Sequence, residues 1–326
     1  MSDLLFGLLA IVIGVVASYG LFWLLNALLS LLPTKIHQKV DSLGFITPAA
    51  VLVILVLIVP LLQTVVWSFK SDNVKEWVGL KNYTDLFTDE RFLAILLNNL
   101  LWVLVVPAVT VAFGTAAASL GNQVGPTREK IFKSLIFMPM SISFVAAATI
   151  WSYFYSFAPP GRPVIGLLNA LVEAFGGTSQ PWLTMDQGRL NSFLLMAVIV
   201  WLQVGYSMVV ISAAIKGVPE ETIEAAQIDG ANPWQVFFEV ILPQVWGTIM
   251  SVFVTVLILV MKIFDIVLAM TRGNFTTSVL AFEWYKQFFE NSNIGPASAV
   301  ITILVILIAP LMYLQIRTVR HQETLR

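Results

Sequence analysis

The sequence predicts an all-α membrane protein with about seven transmembrane helices, on three observations. Only 11% of its 326 residues are charged, against about 25% in a typical soluble domain, and 58% are hydrophobic. The apolar residues gather into runs that reach the roughly 20 residues needed to cross a bilayer core. Between the runs stand prolines, glycines and charges that close one helix before the next begins.

The runs cover 4–31, 45–69, 98–120, 134–155, 191–215, 245–270 and 296–316. The first follows Met1-Ser2-Asp3, with no basic residue before it, and exceeds the roughly 7–15 apolar residues of a signal peptide. It reads as a retained helix, and with its linker it makes a segment 1–44 ahead of the main domain, 45–326. The stretch 72–91 is polar, with Trp77 and Tyr83 placed as interface anchors. In the third run Ala108, Ala112 and Ala116 recur every fourth residue beside Gly114 and Ala118, a stripe expected to pack within one bundle, with an inter-subunit contact as the alternative.

Arg128, Lys130 and Lys133 crowd the loop before the fourth run, and Arg317, Arg320 and Arg326 follow the last. The positive-inside tendency puts 33–44, 121–133, 216–244 and 317–326 in the cytoplasm, and an odd number of spans leaves the amino terminus outside. The outer loop 156–190 carries two turn-rich stretches, Ala158-Pro159-Pro160-Gly161-Arg162-Pro163 and Gly176-Gly177-Thr178-Ser179-Gln180-Pro181-Trp182. Residues 164–175 between them have helical periodicity but are too short to span, so they read as a surface helix.

Several functions are excluded by composition. With no cysteine there is no disulfide framework or thiolate metal site, and the two histidines, His37 and His321, lie outside the spans. No metal site or catalytic residue is expected. A net charge of −1 offers no field for nucleic acid. No G-x-x-x-x-G-K-[ST] phosphate loop and no HExxH motif occur.

The segment 216–243 carries the strongest functional signal. Pro219 is placed to open a helix, Glu220 and Glu221 suit its first turn, and Gly230 suits its end. Asn232-Pro233 then supplies a second cap and start. Two units of about ten residues, roughly 15 Å each, are too short to cross. Their apolar residues, Ile223, Ala226, Ile228, Trp234, Phe237, Phe238 and Ile241, stand beside Glu224, Asp229 and Glu239. Such a knob fits either a partner's groove or the headgroup layer, and its acidity favours the groove, because interfacial helices are usually basic.

Glu224-Ala225-Ala226, three residues, Gly230, nine residues, Val240, one residue and Leu242-Pro243 resemble the EAA loop of permease subunits in binding-protein-dependent ABC importers. Val240 stands where that family commonly has isoleucine. The likeness extends over roughly 45–320 through Asn98-Asn99, Phe137-Met138-Pro139 and Phe264-Asp265-Ile266-Val267. These look like the MalF-type sugar permeases, with 201–214 and 219–226 nearest the α-glucoside branch. The resemblance implies a six-helix type I importer core plus one amino-terminal helix, in a bacterial or archaeal inner membrane. It implies ATPase contact through Glu224, Ala225, Ala226, Asp229, Gly230, Leu242 and Pro243. It also implies four kinds of partner: a second homologous permease, two copies of an ATPase that uses ATP and Mg, an extracytoplasmic substrate-binding protein, and lipid. This chain itself would bind no cofactor.

Polar groups within spans mark a path or a buried pairing. Lys262 and Asp265 are expected three apart on one helix face, close enough to pair. Gln203, Tyr206, Asn98, Asn99, Ser141 and Ser143 are further path candidates, each also suited to bridging helices. Trp151 and Tyr155 belong to an aromatic cluster, with Tyr153, Phe154 and Phe157, that suits an interfacial belt or a sugar face. An ion-coupled secondary transporter is the alternative, but it calls for inverted repeats that the sequence does not display.

Overall fold

The computed structural model describes residues 49–159 and 161–324, with isolated positions between 7 and 47. The expected first span and its linker lie outside that continuous stretch. Two compact units divide at Val66 and Trp67. The first contributes most of the span Ala49–Trp67, in which a π-helical turn, Ile54–Ile58, leads into α1, Val59–Trp67. Pro60 lacks an N–H, and the wider turn ahead of it carries the chain past the proline without breaking the helix.

The second unit holds α2 (Lys81–Thr88), α3 (Glu90–Asn122), α4 (Pro126–Phe137), α5 (Phe144–Phe154), α6 (Leu167–Ala174) and α7 (Leu190–Lys216). It continues with α8 (Glu220–Ile228), α9 (Pro233–Gln235), α10 (Leu242–Met261), α11 (Asp265–Met270), α12 (Leu280–Tyr285) and α13 (Ile294–Thr324). Counting α4 and α5, which meet at a 102° bend, as one broken span, the described residues contain six helices long and apolar enough to cross a membrane. They match the last six runs of the sequence.

The core forms where α3 lies along α7, with α10 packed on both and α13 against α10. Trp102, Leu195, Ile199, Leu202 and Val256 are buried there. Close approach depends on Gly114, where an added Cβ would sit 2.2 Å from Ser207 Oγ. Ala108, Ala112 and Ala116 do not pack within this chain and are exposed, while Gly114 and Ala118 beside them, with Ala117, take the inner face.

Two further expectations are corrected. The second short unit of 216–243 is not separate, because α9 runs through a π-helical turn, Val236–Ile241, directly into α10. Leu242 N–H there bonds back to Phe237, an i−5 partner, and this widened turn relieves the clash that Pro243 would cause in a regular helix. The run 245–270 is also not one helix. It ends at Met261 and restarts at Asp265. Lys262 caps the carboxyl end of α10 and Asp265 opens α11, so each charge meets the helix-dipole end that favours it. They are therefore not on one helix face, and among the described residues they form no ion pair with each other.

Candidate functional site

The loop after α7 presents the Glu-Ala-Ala segment outward. Lys216 ends α7 and Pro219 caps α8, whose first turn holds Glu220 and Glu221. Gly230 adopts φ +87°, Gly230 N–H bonds to Gln227 O (3.1 Å), and Ala231 N–H bonds to Ala226 O (3.0 Å). This Schellman closure needs a left-handed residue, which is why a glycine stands four residues past Ala226. Asn232 then accepts from Trp234 and Gln235 N–H while Gln235 Oε1 accepts from Asn232 N–H, a complete capping box. The two helix ends are thus closed by groups of the loop itself. Glu224, Ala225 and Asp229 are left exposed, Ile228 is 85% exposed, and Trp234, 73% exposed, stacks on Phe238 at 5.9 Å.

A second feature lies at the α4–α5 bend. The 3₁₀ turn Met138–Ser141 ends α4, Ile142 is extended, and Ser143 caps α5 by accepting from Ala146 N–H (3.2 Å). Met140, Ile142, Ser143, Phe144 and Val145 line a recess of about 480 Å³, closed by Leu202 and Gln203 of α7 and by Asp265. A neighbouring recess of about 450 Å³ shares Phe144 and Asp265 and adds Lys262, Thr255 and Leu259. Ser143, Gln203, Lys262 and Asp265 are thereby brought to adjoining hollows. Their volumes lie within the range of small-molecule sites.

The other path candidates sit elsewhere. Asn98 is fully buried and donates to the carbonyls of Thr277 (3.0 Å) and Ser278 (2.9 Å), while Asn99 Oδ1 accepts from Leu280 N–H (2.8 Å) and caps α12 from another helix. Ser141 Oγ closes its own turn on Met138 O. Tyr206 packs against the core. Trp151 lies 5.7 Å from Trp201, and buried Tyr155 donates to Leu194 O (3.2 Å), so this part of the aromatic cluster ties α5 to α7.

A family model described as binding-protein-dependent transport system inner membrane component matches residues 110–320. The chain belongs to this family. As an inner membrane component it has relatives along most of its length. It is 41% identical over 99% of both chains to the alpha-glucoside transport system permease protein AglF of Rhizobium meliloti. It is 44% identical to the osmoprotective compounds uptake permease protein GgtC of Synechocystis, over 86% of this chain and all of that one. Its fold is shared with a chain of a bacterial alginate ABC transporter crystallised with an alginate pentasaccharide-bound periplasmic protein, at a TM-score of 0.74 and 20% identity over 86% of this chain and 94% of that one.

Sequence reasoning passed over one cluster in this membrane component. Glu129 Oε1 meets Lys133 Nζ at 2.5 Å and Lys216 Nζ at 2.6 Å, and Lys133 also reaches Asn122 and Ser212. Glu129 and Lys133 stand four apart on α4, a legible signal. Lys216 joins only through the fold.

Proposed function

We propose that this chain is one permease subunit of an ATP-driven importer of sugars, oligosaccharide or α-glucoside in class. It forms half of a translocation pathway with a second permease. The loop 216–243 seats on a separate ATPase that uses ATP and Mg, and an extracytoplasmic binding protein delivers the sugar. The observation that carries this reading is the outward Glu-Ala-Ala helix, whose closures are satisfied internally while its acid and apolar groups are free to dock. Glu224 supplies the ionic contact, Ala225 and Ala226 the close approach, and Gly230 the turn. Asp229 adds a second acid at the rim, and Leu242-Pro243 joins the loop to α10.

The substrate class draws support from the two relatives named for alpha-glucosides and osmoprotective compounds. It is also supported by the recess, where Ser143, Gln203 and Asp265 offer hydroxyl, amide and carboxylate partners beside apolar walls. In the neighbouring hollow Lys262 and Asp265 supply one charge of each sign, so the lining carries no net charge that would select an ionic cargo.

Glu224→Lys tests the coupling half. The variant should insert and fold as the wild type, lose the co-purifying ATPase and fail to accumulate sugar. Retained ATPase with normal uptake would remove Glu224 from the interface. Uptake of maltose, trehalose and sucrose against the β-linked lactose, with the binding protein present, tests the substrate half: preference for lactose would refute the α-glucoside class, and uptake of no sugar would refute the sugar class.

A further inference from the structure

We infer that Glu129 is a positioning residue that keeps the two walls of the recess moving together when the loop 216–243 is displaced. The inference rests on the coupling reading above. One wall, Leu202 and Gln203, belongs to α7; the other, Met140 with Ile142 to Val145, runs from the end of α4 into the start of α5. These are different helices. They stay in register only if α4 follows α7.

The structure clamps them at two levels. Deep in the bundle the clamp is steric, since a Cβ on Gly205 would lie 2.5 Å from Ile136 O and 2.6 Å from Phe137 Cα. At the cytoplasmic end it is ionic. Glu129, with its side chain 14% exposed, holds Lys216 across from α7 while also holding Lys133 on its own helix. Lys133 donates to Asn122 Oδ1 (3.2 Å) and to Ser212 Oγ, and Ser212 donates to Asn122 (2.7 Å), so the end of α3 is gathered into the same knot. Lys216 is the last residue of α7, and α8 starts at Glu220. A push arriving at α8 therefore enters the bundle at the residue that Glu129 grips. With the carboxylate present, the push reaches Gln203 through α7 and Met140 through α4. Without it, the cytoplasmic end of α4 loses its ionic grip on α7 and keeps only the Lys133 bonds to the neutral Ser212 and Asn122.

The test uses the whole transporter in proteoliposomes, with whichever of maltose, trehalose and sucrose the wild type accumulates. Glu129→Gln should retain the ATPase subunit and its hydrolysis but move about tenfold less sugar per ATP, the factor expected for loss of one charge-assisted contact. Lys216→Gln should do the same while leaving the Glu129–Lys133 contact in place. The double variant should be no worse than either single one. A wild-type ratio of sugar to ATP in Glu129→Gln, or losses that multiply in the double variant, would overturn the inference. Should Glu129→Gln fail to assemble, Lys216→Gln decides alone, since its half-exposed side chain carries little of the fold. Glu224→Lys in the same preparation separates the two readings. If it keeps a normal ratio and its ATPase, the coupling reading fails; if it uncouples while Glu129→Gln does not, only the role of Glu129 fails.

Discussion

Replacing Asn98 by alanine separates a role in the fold from a role in the sugar path. The amide of Asn98 is fully buried and donates to two carbonyls, those of Thr277 and Ser278, just before α12. Each bond contributes about 0.6–1 kcal/mol in a membrane protein, and leaving the freed carbonyls short of a donor adds about 1 kcal/mol more. The expected loss is about 2–3 kcal/mol. For a unit of this size that corresponds to an apparent melting temperature lower by about 5 °C. Asn98→Asp should cost more than alanine, because it aims a carboxylate at two carbonyl oxygens in a site closed to water. The assay is thermal unfolding of the detergent-solubilised transporter, read beside uptake. Unchanged melting with impaired uptake in Asn98→Ala would refute this account and put the side chain back in the path.

Gly205→Ala trades a helix-propensity gain of about 1 kcal/mol against an overpacking cost of about 1–3 kcal/mol, since the atoms it meets are backbone and have no rotamer to yield. Thermal unfolding should show a net loss of up to about 2 kcal/mol; a raised melting temperature would mean that α4 and α7 are not in close contact there. Asp265→Asn keeps the shape of the recess while removing its carboxylate. Uptake should change while the two permeases and the ATPase still co-purify, and a wild-type uptake profile would take Asp265 out of the path.

The sequence made some of this legible for a physical reason. Hydropathy reports on the contrast between lipid and water, so the six described spans stand where their apolar runs do. The Glu-Ala-Ala helix was readable too, because its ends are set locally, by Pro219 before it and by the left-handed Gly230 after it. Other features depend on distant partners. Asn98 and Asn99 look like polar groups in a span until α12 arrives to claim them. Glu129 and Lys133 give an i,i+4 signal, yet the ion pair that ties α4 to α7 comes from Lys216, brought there by the fold alone.

Where hydropathy misled, it did so in places that share a physical cause. A window of apolar residues continues smoothly through 245–270, although the helix stops at Met261 and restarts at Asp265. It continues likewise through 134–155, where the chain turns by 102°. Both interruptions border the same pair of hollows. Irregular backbone at membrane depth is costly where it faces lipid and is tolerated where it lines a cavity or is buried in protein. Each break also frees helix ends. Ser143 satisfies an N–H at the start of α5, while Asp265 and Lys262 sit at helix ends of opposite dipole sign. A carboxylate and an ammonium can thus be carried at the recess without first neutralising each other. Lys262 and Asp265, which form no ion pair with each other among the described residues, are then what broken helices make possible: two charges each set at the dipole end that favours it.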